Sequence, residues 1–168
     1  MSGKWFSRTF DLGLPPDAAP EIFERLRSAP DRLAAAVEGL SVEQLTRRRD
    51  GKWSIQENAG HLYDLESLWS QRLDDYARGA TNLSPADLEN RKTHEANHNA
   101  RPISEILSAF RSARAAIMEK LNRLTPADLS HTALHPRLQQ PMTVVDLCYF
   151  VAEHDDHHLA TIAALRGS

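Results

Sequence analysis

Apolar residues along this chain recur every three to four positions, the spacing that keeps one face of a helix, and period-two alternation is hard to find. Residues 1–19 read as an irregular lead broken at Pro15 and Pro16. Ile22, Phe23, Leu26, Leu33, Val37 and Leu40 mark a first helical region that Gly39 ends. Pro30 is expected either to interrupt that region or to open a further helix capped by Ser28. A second helix starts at Ser54-Ile55-Gln56-Glu57, a capping-box pattern, and carries the stripe Ile55, Leu62, Leu65, Leu68, Trp69 and Leu73 until Gly79. The third follows Pro102, with Ile103, Ile106, Leu107, Phe110, Ile117, Leu121 and Leu124, and Thr125-Pro126-Ala127-Asp128 punctuates its end. The fourth starts near Thr143, with Asp146 three residues on, and runs through Val144, Leu147, Val151, Leu159, Ile162 and Leu165 to Gly167. The pattern predicts an all-α four-helix bundle of helices roughly 30 Å long. A long connection between helices two and three is free to cross the bundle, and Ser84-Pro85-Ala86-Asp87 within it is expected to start a small extra helix.

Composition narrows the setting. At 168 residues, with no repeat, low-complexity tract or linker, the chain is expected to form one domain over 1–168. The net charge of −3 gives no general attraction for nucleic acid or anionic membrane. The single cysteine, Cys148, excludes an intrachain disulfide framework and fits a reducing cytosol. No apolar run approaches the ~20 residues of a membrane span. MSGKWFSRTF lacks the apolar segment of a signal peptide, so a cytoplasmic location is expected.

The candidate chemistry lies in the fourth helix, within AEHDDHHLAT. Its apolar stripe passes from Val151 to Ile162 through His154 and His158, so both imidazoles are expected to point into the bundle. One histidine on an apolar face is usually a hydrogen-bonded core residue. Two at i, i+4 stand one turn apart and can chelate a single ion, which would spare each the desolvation of an unpartnered ring. The residues after this pair contain no histidine or acid, so a third ligand must come from upstream. Di-iron sites need two Glu-x-x-His motifs, and Glu95-Ala96-Asn97-His98 is the one match, in a polar segment. His61, two turns into helix two and bordering its stripe, is the upstream candidate; Glu57 is read as its helix cap rather than its hydrogen-bond acceptor.

Two stretches resemble the DinB-like proteins, a bacterial four-helix-bundle superfamily. WSIQENAGHLYDLE is similar to the family's Trp-Ser-x-x-Glu-x-x-x-His-Leu segment, and VAEHDDHHLATI to its closing His-x-x-x-His. Their separation and the chain length also fit, so the resemblance covers essentially the whole chain. It implies a metal triad at His61, His154 and His158, holding zinc or nickel with water completing the shell, and a homodimer. It also implies a small-molecule substrate. Some relatives transfer low-molecular-weight thiols and many have no known activity. ENRKTHEANHNARP resembles one branch of the superfamily, with no role attached.

Three imidazoles leave an open coordination position, the arrangement of catalytic rather than structural zinc sites. Metal-assisted hydrolysis and thiol-dependent S-transfer both follow from it, with thiol transfer ahead on the resemblance alone. The alternative is a dimeric, stress-related protein that binds metal or a small molecule without turnover. His157, on the flank of the helix, is a candidate proton shuttle, whereas Asp155 and Asp156 read as a solvated flank. Trp53 reads as a hydrophobic staple, Arg47-Arg48-Arg49 as a solvated run, and Cys148 as a small core residue. His94, His98, His131 and His135 fall in polar connections, the last two as a surface pair.

Overall fold

The computed structural model describes residues 5–167. Its helices are α1 (Ala19–Val37), α2 (Val42–Thr46), α3 (Ile55–Ala77), α4 (Arg91–Glu95), α5 (Ile103–Asn122), α6 (Pro126–Leu129) and α7 (Val144–Arg166). The long ones are α1, α3, α5 and α7, and they form the expected four-helix bundle. Strands β1 (Thr132–His135) and β2 (Gln140–Thr143) pair antiparallel, with Ala133 opposite Met142.

Side-chain pairs fix the topology. Arg25 pairs with Glu153 and Arg32 with Asp156, while Arg166 donates to the Ala36 carbonyl, so α1 and α7 run parallel. Glu66 pairs with Arg114 and Asp74 with Lys120, so α3 and α5 run parallel. Asn58 meets His158 at one end of α3, and the Tyr76 hydroxyl reaches the Met142 carbonyl at the other, so α3 opposes α7. The order is up, down, down, up. The segment between α3 and α5 must therefore return the length of the bundle, as its length allowed.

Three local expectations are corrected. Pro30 neither breaks α1 nor opens another helix, and Ser28 caps nothing but bonds back to the Arg25 carbonyl. A proline removes the amide that would bond the carbonyl four residues earlier; here that carbonyl, on Leu26, accepts from the buried Arg114 guanidinium at 2.9 Å. No helix starts at Ser84. Its amide is taken by the Asp75 carboxylate and its carbonyl by Arg72, while Asp87 turns forward to the amides of Glu89 and Arg91, and the helix begins at Arg91. The all-helical expectation omits the β-hairpin, because each strand has four residues and β2 contains Pro141, too little for alternation to register. Leu134 on β1 exchanges backbone bonds with Thr81 and Leu83, which ties the hairpin to the long connection.

The core has two apolar clusters. One gathers Leu26, Trp69, Leu121 and Phe150; the other gathers Leu33, Leu62, Phe110 and Ile162. Between them three of the four long helices contribute a charged residue: Glu66 from α3, Arg114 from α5 and Asp155 from α7 form a buried cluster. Asp155 is thus no solvated flank; its carboxylate is 2.8 Å from Arg114. One guanidinium serves two carboxylates. Burial accordingly pushes the Glu66 carboxyl up to about 7 and Asp155 above its ordinary range, against the pull of Arg114. Among the described residues no helix is long and apolar enough to cross a membrane.

Candidate metal centre

The start of α3 is fixed by its cap. The Ser54 hydroxyl accepts from the Glu57 amide at 3.1 Å, and the Glu57 carboxylate accepts from the Ser54 amide at 2.9 Å. The Arg48 guanidinium clamps the same carboxylate, so Arg48 is not simply solvated. Burial works against the Glu57 charge, but these hydrogen bonds prevail and hold it down at about 2. From that anchor His61 is turned inward, where α7 presents His154 and His158 one turn apart. All three are buried, and one ring nitrogen of each lies within 4.8 Å of the other two. Ring centroids are 4.7 Å apart for His61 and His158, 5.3 Å for His61 and His154, and 4.6 Å for His154 and His158.

Hydrogen-bond partners assign the tautomers. Nδ1 of His61 is 2.9 Å from the Thr93 hydroxyl, whose own proton goes to Asp64 at 2.8 Å. The hydroxyl oxygen therefore accepts from His61 Nδ1–H. Nδ1 of His158 donates to the Asn58 side-chain oxygen at 2.9 Å, while the Asn58 amide donates to the Ser54 carbonyl at 2.8 Å. Both rings are left with Nε2 as the lone-pair nitrogen. This is the arrangement of histidine ligands in metal sites, one nitrogen tied to a supporting acceptor and the other free for the ion. On His154, Nδ1 is buried with no hydrogen-bond partner. Burial first, and neighbouring imidazoles after it, hold the His61 pKa at about 4 and those of His154 and His158 well below the ordinary value. Three neutral donors converge, and the donor set fits a divalent metal ion.

The segment with no role in sequence supports this arrangement. Thr93 lies on α4, and His98, which follows it, donates to Asp64 at 2.8 Å. Burial disfavours the Asp64 charge, yet hydrogen bonds from His98 and Thr93 keep its pKa below the ordinary carboxylate value. His98 is buried rather than set in a polar connection, and it packs against α3 at Gly60. Asp64, at i+3 from His61, could have been picked out as sharing its face; Thr93 and His98 could not, because only the returning chain brings them near.

A cavity of about 400 Å³ opens beside the triad. Trp53 is not a staple: its ring stands 4.8 Å from that of His61 and 5.6 Å from that of His94, and it forms part of the cavity wall. Trp5, from the lead, packs at 5.2 Å on His154. His157 lines the cavity half-buried, its ring 5.1 Å from that of His158, and burial lowers its pKa. His135 is buried at the end of β1 and lines the same cavity, so it does not form a surface pair with His131. Cys148 is buried, and burial pushes its thiol up to about 12, which suits a core residue.

Residues 25–162 match the model of the DinB superfamily. A protein of Geobacillus thermodenitrificans, named as an inferred metal-dependent hydrolase, is 30% identical over 148 residues, 84% of this chain and 80% of its own length. Among solved structures, YfiT from Bacillus subtilis superposes with a TM-score of 0.83 at 21% identity, covering 94% of this chain and 91% of that one. It is described as a probable metal-dependent hydrolase with an unusual four-helix bundle topology. A Streptococcus pneumoniae protein superposes with a TM-score of 0.69 at 11% identity, over 95% of this chain and 93% of that one.

Proposed function

The chain belongs to the DinB superfamily, and on that premise we propose that it is a divalent-metal enzyme that hydrolyses a small molecule in the cavity beside His61, His154 and His158. The observation that carries this is the convergence of three neutral, buried imidazoles, two with Nδ1 already committed to Thr93 and Asn58, on a space open to a cavity. A bound zinc or nickel ion supplies Lewis acidity and activates water near neutral pH. The protein's own groups do the rest. Thr93 and Asn58 hold the ligand rings in register. Trp5, Trp53 and Trp69 wall the cavity and lower its polarity. His157, at the cavity edge, is placed to pass a proton between substrate and solvent. Hydrolysis is preferred to thiol transfer because the curated relative is named as an inferred metal-dependent hydrolase and no cavity residue identifies a thiol.

The test is elemental analysis of protein purified without an affinity metal, followed by a hydrolase panel on the reloaded protein. One equivalent of metal is expected, lost in His154→Ala, with turnover that a chelator abolishes. His157→Gln is expected to keep the metal and lose about 10²-fold or more in kcat. Stoichiometric metal in His154→Ala would overturn the site. Bound metal with a silent hydrolase panel, and a shifted cobalt absorption spectrum on adding a thiol, would move the assignment to thiol transfer.

A further inference from the structure

Two guanidinium groups that the metal chemistry leaves unused line the same cavity. Arg72, on the His61 side of α3, is 1% exposed. Arg137 sits in the hairpin turn between β1 and β2. Both line the cavity, and among the described residues neither forms an ion pair with a carboxylate. Asp75, the acid near Arg72, is committed to Arg78 and the Ser84 amide. Asp87, the one carboxylate lining the cavity among the described residues, is held by the amides of Glu89 and Arg91 and lies 3.4 Å from the Arg91 guanidinium. Nη2 of Arg137 is buried without any hydrogen-bond partner, although its guanidinium stacks over Phe6 and Phe150.

His135 sharpens the deficit. A neutral imidazole offers one acceptor nitrogen. Two donors converge on this one: the Leu138 amide on Nδ1 at 3.2 Å and Arg72 Nη1 on Nε2 at 3.1 Å. The ring is neutral because burial, and then Arg72 and Arg137, push its pKa down to about 3. Whichever nitrogen carries the proton, one N–H faces another, and an acceptor is missing. Buried donors without acceptors are uncommon and call for a partner. Two adjacent, incompletely compensated cations call for a negative one.

We propose that Arg72, Arg137 and His135 form an anion subsite, and that the substrate class is a small molecule bearing a carboxylate or phosphoryl group at one end and its reacting bond at the other. This rests on the hydrolase assignment for the reacting end only. Two contacts set an upper bound on the separation of the ends. The Arg72 guanidinium carbon is 5.4 Å from the Trp69 ring centre, and that ring is 5.7 Å from the His154 ring, so the span is at most about 11 Å. A molecule with one ring or a short chain between its ends fits that span. The wall it would cross is apolar and aromatic, with Phe150 in contact with both Trp5 and Trp69.

The chain's own tryptophans report the test. All three, Trp5, Trp53 and Trp69, line the cavity, so their fluorescence follows its occupancy. Full-length protein, stripped of metal so that no anion can sit on the ion, is titrated with phenylacetate, phenyl phosphate and the neutral phenylacetamide. One or both anions are expected to bind at least tenfold more tightly than the amide, and the stronger of the two identifies the oxyanion. Arg137→Gln is expected to remove that preference, while Arg137→Lys keeps part of it and His154→Ala keeps all of it. Arg137 is half-buried in a turn, so a melting curve of each variant suffices to show that it folds. Equal binding of anion and amide would overturn the subsite. So would a preference that survives Arg137→Gln, or that appears only in metal-loaded protein and vanishes in His154→Ala. Failure of the wild-type protein to bind metal at its three histidines on reloading would sink the hydrolase assignment while leaving the metal-free result standing.

Discussion

Gly60 is small because His98 fills the place a side chain would take: a Cβ on Gly60 would be driven into the imidazole ring. That contact matters beyond packing. His98 and Thr93 hold Asp64, and Thr93 holds the Nδ1–H of His61, so a packing contact at Gly60 leads through His98 into one line of hydrogen bonds that ends at a candidate ligand. Gly60→Ala is therefore expected to weaken metal binding without touching a ligand. Thr93→Val should do the same by removing the acceptor for His61 while preserving shape. Groups that support metal ligands typically contribute about 10- to 100-fold in affinity. Competition against a chelating dye measures it, and unchanged affinity in both variants would show that His61 is oriented without this chain of bonds. Little of this chain could have been read in the sequence. The triad residues stood out because two of them replaced apolar residues at helical spacing. Their supports did not, since Thr93 lies 32 residues from His61 and Asn58 lies 100 from His158.

At the level of elements, the signals read correctly were the local ones. Ser54 with Glu57, and Thr143 with Asp146, each close a capping box within one turn, and both boxes are present. What misled was local chemistry answered from afar. Pro30 reads as a breaker until the Leu26 carbonyl it orphans is seen to accept from Arg114, 88 residues away. The same guanidinium pairs with both Glu66 and Asp155, tying α1, α3 and α7 to α5. Arg114→Met should therefore destabilise the protein by about 3–5 kcal/mol, because it strands buried carboxylates and a buried carbonyl together. Pro30→Ala restores an amide four residues after Leu26. Alone it should change stability little; combined with Arg114→Met it should recover about 1 kcal/mol of the loss, the net worth of one hydrogen bond. Urea denaturation of the two single variants and the double variant measures this coupling, and strict additivity would mean that Arg114 does not compensate for the proline.

For the whole molecule, the up-down-down-up order brings His61 on α3 against the middle of α7, so metal binding joins two antiparallel helices from opposite halves of the sequence. Metal should then stabilise the fold as a unit. At a thousandfold excess over Kd a ligand that binds only the folded state adds about 4 kcal/mol, a rise in Tm of roughly 10 °C at this size. The dependence on acid follows from the ligands. In the unfolded chain they titrate near about 6.5; in the fold the His61 pKa falls to about 4, and those of His154 and His158 fall well below the ordinary value. Between those values the unfolded state binds more protons, so the stability these groups contribute is present above about 6.5 and is lost as pH falls toward about 4. Bound metal depresses the native values further and carries the loss to lower pH. Glu66 acts in the opposite sense: its native pKa is raised to about 7, so its contribution is present below the unfolded carboxylate value and is lost as pH rises through about 7. Melting curves taken with and without a chelator separate the two, because Glu66 is common to both and cancels in the difference. That difference should be largest near neutrality and should shrink as pH drops through 6 to 5, while Glu66→Gln leaves it unchanged. A difference that is absent at pH 7.5 would remove the three histidines as a metal site, and one that is independent of pH would mean that the ion is held by groups other than imidazole.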